Sequence, residues 1–296
     1  MLTTLAVLAR IVANPLSNVF QKQLTSRSAD PLVVVGATHA LLSLVAAPFL
    51  LRPLGVERWG EFLTSMVVCA VLAVAGNVTL VRALRSADLS VLGPINAYKS
   101  VVSLVLGIFL IGEVPSPAGL AGVLLIVAGS YFVVDRAEDR QGGHALAAFV
   151  RERGVQLRFA ALVLSATEAV FLKKALLLSS PLTTFLFWSI LGLAVAAPTV
   201  ALLPGCRVRH DAKLFRRHWH TYAWLAITTG VMQLATLFTF GALQVAYALA
   251  LFQLSTVVSV LLGHHVFRER DVRRRLVGSA IMAAGAALIV VLGRHG

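Results

Sequence analysis

Lys99, Glu168 and Arg10 are ionisable side chains set inside long apolar runs. Lys99 lies in "GPINAYKSVVSLVLGIFLIGE" (93–113), Glu168 in "LVLSATEAVFLKKALLL" (162–178), and Arg10 in the first apolar stretch of the chain. A charge held at the middle of a bilayer costs roughly 2.5–3.5 kcal/mol on insertion scales. Each of these groups must therefore face water, a ligand or an opposite charge. Lys99 is too deep in its run to snorkel to an interface without strain. Asn96 at i−3 and Ser103 at i+4 share its helical face, with Tyr98 beside it, and Pro94 frees a backbone carbonyl about one turn away. Two chemistries fit: an ammonium lining a cavity that receives a solute, or a structural ammonium paired to a carboxylate between helices. Glu168, with Ser165 on its face, is the carboxylate available for a contact with Lys99. It could exchange a proton, bind a cationic group, or hold a fixed ion pair.

Other polar groups extend this pattern. Arg10, Asn14 and Asn18 recur at i, i+4 and i+8 with Ser17 beside them, which makes one polar helix face and suggests a water-lined groove. Asn77 and Gln233 are amides inside apolar runs that can bind a solute or hydrogen-bond between helices. Lys22 and Lys173 are placed to snorkel. His39, His264 and His265 lack metal-ligand spacing and read as core or interfacial histidines. Glu113 and Glu269 close two apolar runs and read as acceptors for a neighbouring helix or loop. Cys69 and Cys206 are too few for a disulfide framework or a zinc site. No phosphate-binding loop, nucleophile elbow or zinc-protease signature is found, so no cofactor and no enzymatic activity are expected.

The elements that carry these residues follow from composition. Of the 296 residues, 58% are hydrophobic and 13% charged, against about 25% charged in soluble domains. Ten apolar segments of membrane-spanning length cover 2–21, 32–51, 61–81, 89–111, 117–134, 157–178, 182–203, 221–242, 245–266 and 274–292. The fold class expected is all-α integral membrane, because such runs lack the alternation of a membrane barrel. The excess of Lys and Arg sits in short loops such as "CRVRHDAKLFRRHWH" (206–220), a positive-inside signal and not a nucleic-acid surface. Loops after segments 1, 3, 5, 7 and 9, with the helix ends beside them, hold 19 of the 26 Lys and Arg, which places those loops in the cytoplasm and both termini outside.

The second half of the chain repeats the first. At an offset of 156, "VVSLVLGIFLIGE" (101–113) lies over "VVSVLLGHHVFRE" (257–269), and Gly122 and Gly129 lie over Gly278 and Gly285. Near an offset of 150, "AAP" (46–48) matches "AAP" (196–198), and Phe20 and Lys22 match Phe171 and Lys173. The units run 1–138 and 155–296, joined by a charged linker over 139–154. Five helices per unit oblige the second copy to enter from the opposite side, an inverted repeat of the kind that builds a site near the bilayer midplane. Ala118, Gly122 and Gly129, with Gly278, Ala280, Ala284 and Gly285, give small-residue stripes for close helix packing.

The stretch "LGIFLIGEVPSPAGLAGVLLIVAGSYFVV" (106–134), its echo "LLGHHVFRERDVRRRLVGSAIMAAGAALIVV" (261–291) and "NPLSNVFQKQL" (14–24) resemble the drug/metabolite transporter superfamily, and within it the ten-helix EamA-like group. In the echo Arg268 replaces Gly112 and a basic turn replaces the Pro-containing one. The resemblance covers essentially the whole chain. It implies a multi-pass plasma (inner) membrane protein that exports a small metabolite or drug, and it favours cytosolic termini, against the charge count. The expectation from residues and resemblance together is a secondary transporter, working by alternating access on a small polar solute such as an amino acid or another carboxylate-bearing molecule. Its site would draw on Lys99, Glu168, Asn14, Asn18, Asn96, Tyr98, Arg10, Asn77 and Gln233, and transport would be coupled to a proton or counter-substrate. The alternatives are a cation or multidrug exporter centred on Glu168, and an intramembrane enzyme acting on lipid. The expected partners are the solute and the lipid bilayer.

Overall fold

The computed structural model describes residues 2–86, 98–133, 153–202, 208–255, 258 and 272–292. All regular elements among them are helical. They are α1 (Leu2–Ser26), α2 (Pro31–Ala46) with a 3₁₀ turn (Ala47–Leu51), α3 (Trp59–Ser86), α4 (Lys99–Ile111), α5 (Pro117–Val133), α6 (Arg153–Leu176), α7 (Pro181–Leu202), α8 (Val208–Arg217), α9 (Trp219–Ala242), α10 (Val245–Phe252) and α11 (Val272–Leu292). Proline opens α2, α5 and α7, where its missing N–H has no intrahelical partner to lose. Asp30 caps α2 by accepting a hydrogen bond from the Leu32 N–H at 2.8 Å. Gly112 ends α4 at φ 70°, a left-handed position that a side chain would strain.

Six of these helices are long and apolar enough to cross a membrane: α1, α2 with its 3₁₀ turn, α3, α6, α7 and α9. Shorter apolar helices cover Lys99–Ile111, Pro117–Ser130 and Ala280–Ile289. Segments 4 and 9 of the sequence reading lie partly outside the described residues: α4 begins at Lys99, and α10 gives way to a turn after Phe252. The stretch 206–220, read from sequence as a loop, contains α8. That helix is too short and too charged for a span, but its apolar side docks on the protein: Leu214 and Phe215 pack against a cluster of Leu24, Ala29, Val34, Tyr222 and Leu225.

The most extensive helix contacts join the two halves. They pair α1 with α9, α2 with α7, α3 with α6, and α5 with α11. In the sequence repeat α1 corresponds to α6 and α3 to α9, so the α1–α9 and α3–α6 pairs are counterparts, as are the lesser pairs α3–α7 and α2–α9. The glycines show the same relation at atomic scale. A Cβ on Gly122 would lie 2.8 Å from the Gly285 carbonyl oxygen, and one on Gly129 2.8 Å from that of Gly278. Residue numbers rise along α5 as they fall along α11, so the two helices cross antiparallel, backbone against backbone. The largest core cluster lies between the halves as well, with Phe62, Met66 and Cys69 of α3 against Leu172 of α6, Leu186 of α7 and Leu237 of α9. Large apolar side chains such as Leu44, Phe109 and Val231 point outward, as a bundle surrounded by lipid requires.

Candidate functional site

The α1–α9 pair carries a ladder of polar contacts along an otherwise apolar seam. Arg10 Nε donates to Thr236 Oγ1 at 2.9 Å, and Ser17 and Thr229 share a hydroxyl–hydroxyl bond of 3.0 Å. These two contacts fix an antiparallel register that sets Gln233 between them, at the level of Ala13 and Asn14. Asn14 Nδ2 donates to Ser255 Oγ at 3.2 Å, just past the end of α10. Arg10 also lies over the Phe252 ring, 4.9 Å from its centroid, an attraction of ammonium-type charge for the aromatic face. Sequence spacing on α1 foresaw the polar face. Its partners Thr236, Ser255 and Phe252 come from the other half of the chain, and periodicity on one helix cannot name them.

Two donors on this ladder end in nothing. Arg10 Nη1 and Gln233 Nε2 are both buried without a hydrogen-bond partner, and Gln233 is only 5% exposed. A buried unsatisfied donor costs about 1–3 kcal/mol, more when charged. Such groups persist where a ligand or ordered water completes them. Gln21, one turn further along α1, leaves its Oε1 acceptor unpartnered as well.

Glu168 faces the same region from α6. Trp188 Nε1 of α7 donates to its Oε1 at 3.3 Å, and the Cys69 thiol of α3 lies 4.0 Å from the same oxygen. Lys99 and Arg10 act on Glu168 electrostatically, and Lys99 in turn feels Arg10 and Arg158. The Lys99–Glu168 contact expected from sequence is thus an electrostatic neighbourhood: neither group takes part in an ion pair within 4.0 Å among the described residues. Lys99 is the first residue of α4, and α4 packs on α6. In the repeat, Lys99 corresponds to Ser255. The Lys99 approach to α6 and the Ser255 contact with α1 are therefore counterparts, and the lysine is where the symmetry is broken.

Trp188 is itself held from behind. The His39 ring of α2 packs on the indole at 4.5 Å between centroids, in space that exists because position 192 is glycine: a Cβ there would collide with the imidazole. His39 is a buried core histidine, as its lack of ligand spacing implied. Among the described residues no three His, Cys, Asp or Glu side chains converge as metal ligands.

Of the remaining candidates, Asn18 and Asn77 are partly buried and Tyr98 is exposed. Asn96, Pro94, Glu269, His264 and His265 lie outside the described residues. Glu113 behaves as read: its Oε2 accepts the Val245 N–H at 2.8 Å, at the start of α10. Lys173 does not snorkel. It is 8% exposed, and its Nζ donates to the carbonyls of Phe240 and Leu243, the latter at 3.2 Å, with Glu113 Oε1 at 3.7 Å. The α9–α10 turn folds over this lysine and keeps it from the interface. Trp188 and Arg158 were not singled out from sequence. Arg158 sits near the start of α6 where a charge looks interfacial, and an indole inside an apolar run has no periodic signature.

The arrangement presents three cations, Arg10, Lys99 and Arg158, to one carboxylate, with two unpartnered donors among apolar walls. It suits a solute that brings negative charge and hydrogen-bond acceptors.

A sequence profile of the EamA-like transporter family matches residues 3–135 and again 152–291. No curated protein matches the chain. A solved structure titled "Crystal structure of protein" shares the fold, with a TM-score of 0.72 and 19% identity, over 99% of this chain and 97% of that one.

Proposed function

The chain belongs to the EamA-like transporter family, and on that premise we propose that it is a secondary transporter that carries a small carboxylate-bearing solute across the plasma membrane, in the export direction, by alternating access. Ten spans in two inverted units, 1–138 and 155–296, are the architecture for it. The antiparallel crossing of α5 and α11 and the exchange of helix partners between halves support that arrangement. The observation that carries the substrate class is the pair of unpartnered donors, Arg10 Nη1 and Gln233 Nε2, in a region where cations outnumber carboxylates. A carboxylate would accept from the guanidinium and the amide together, and Lys99 would add charge. Glu168 is the group able to couple transport to a proton or counter-substrate, since it can bind a proton when the solute leaves.

A second reading centres on Glu168 alone. The Trp188 indole beside it offers an aromatic face and the carboxylate a counter-charge, which together suit a lipophilic cation. Thermal unfolding of the purified protein against panels of carboxylates and lipophilic cations separates the two. A ligand at a hundredfold excess over its Kd stabilises by about 2.7 kcal/mol. The carboxylate reading expects stabilisation by an acid, lost in Arg10→Ala and Lys99→Ala. If only cations stabilise, and Glu168→Gln abolishes their effect, the second reading replaces it.

A further inference from the structure

The α8 helix and the outer face of α9 meet at the end of the bundle where α7 closes and α9 opens. On α8, Asp211, Leu214 and Phe215 share one side and are committed to the protein. Asp211 is buried and accepts the Asp30 backbone N–H at 3.1 Å, and the two apolar residues join the cluster around Leu24 and Tyr222. Lys213, Arg216 and Arg217, at i, i+3 and i+4, occupy the opposite side and are exposed. None of the three is in an ion pair with a described acid. The positive field reaches the next residue: the His218 imidazole sits below its usual range, through desolvation and then through Arg27 and Arg217, and its Nδ1 lies 2.7 Å from Arg27 Nη1.

Directly along the bundle from this patch, α9 exposes Trp224 (55%), Ile227 (53%) and Val231 (45%) on one helical face. Their spacing of three and four residues makes an apolar stripe that begins in an indole, the side chain favoured at the headgroup level of a bilayer. A cationic cap above such a stripe has the dimensions and polarity of a phospholipid standing beside the protein.

We propose that this surface seats an anionic glycerophospholipid, with its phosphate-bearing headgroup against Lys213, Arg216 and Arg217 and its acyl chains along Trp224, Ile227 and Val231. The inference does not depend on which solute is carried, or on transport at all. Charge complementarity selects an anionic lipid over a zwitterionic one, because the zwitterion brings its own cation into a patch with no described acid to receive it.

The test is native mass spectrometry of the full chain in detergent with equal amounts of phosphatidylglycerol and phosphatidylcholine. The wild type is expected to retain phosphatidylglycerol preferentially. Arg216→Gln/Arg217→Gln should weaken that retention about 30-fold, from about 1 kcal/mol per basic side chain at an anionic surface. Arg52→Gln/Arg58→Gln removes two exposed charges from the opposite end of the bundle and should leave retention unchanged. Lys213→Gln gives a milder single variant if the double variant unfolds early. Equal retention of both lipids by the wild type, or equal losses in the two double variants, would overturn the proposal. So would displacement of the lipid by inorganic phosphate at tenfold excess, which would mean that the patch reads the anion and not the lipid.

Discussion

Replacing Lys173 by methionine removes a cation from under the α9–α10 turn while keeping the length of the side chain. Three acceptors lose their donor: the Phe240 carbonyl, the Leu243 carbonyl at 3.2 Å and Glu113 Oε1 at 3.7 Å. Deleting one member of a buried ion pair costs about 3–5 kcal/mol. Glu113 softens the loss, because its Oε2 keeps the Val245 N–H at 2.8 Å and its side chain is 15% exposed. The lower end, about 3 kcal/mol, is the reasoned value, equivalent to a fall in Tm of about 6–12 °C at the slope of larger domains. Thermal unfolding of the purified protein followed by intrinsic fluorescence measures it, for Lys173→Met, Glu113→Gln and the double variant. The double variant should be less destabilised than the sum of the singles by about 1 kcal/mol or more. A Lys173→Met shift below about 3 °C, or strict additivity in the cycle, would show that the lysine is not the clasp described.

The α5–α11 crossing should be intolerant of a single methyl group: Gly122→Ala would set its Cβ 2.6 Å from Ile289 Cγ1 and should cost about 1–3 kcal/mol by overpacking. Gly60→Ala, with nothing within 4 Å of its Cβ, is the neutral control in the same melting experiment. Gly192→Ala collides with the His39 ring, so its destabilisation should be relieved on adding His39→Ala, and a cycle without that relief would separate the two sites. Trp188→Phe keeps the packing on His39 and removes the donor to Glu168 Oε1. It should lower stability by about 0.5–1.5 kcal/mol, and solute binding measured by thermal shift should respond far more strongly to Glu168→Gln.

Hydropathy made the bundle legible, and the recurrence of Gly, Glu and Lys at one offset made its two halves legible. What stayed hidden depends on which surfaces meet. Lys22 and Lys173 match across the repeat and read alike from sequence. In the fold Lys22 is exposed, while Lys173 is covered by a turn that begins almost 70 residues later. The polar face of Arg10, Asn14 and Ser17 was plain from its spacing of four, whereas Gln233 needed the α1–α9 register to be placed among them. The α8 helix was masked by its charge, since a run rich in Arg and His looks like a loop until Leu214 and Phe215 find the Tyr222 cluster.

The α5–α11 crossing has the logic of an assembly interface folded into one polypeptide. Gly122 meets Gly285 and Gly129 meets Gly278, and because Gly122 corresponds to Gly278 and Gly129 to Gly285, the two contacts are one contact written twice. A homodimer with a two-fold axis has this isologous property. Here the axis runs between the backbones of a single chain. The surface that α5 offers to α11 is therefore complementary to a copy of itself turned end over end. Two first halves placed in opposite orientations would find the same seam, and a change at either glycine alters only one of its two contact points.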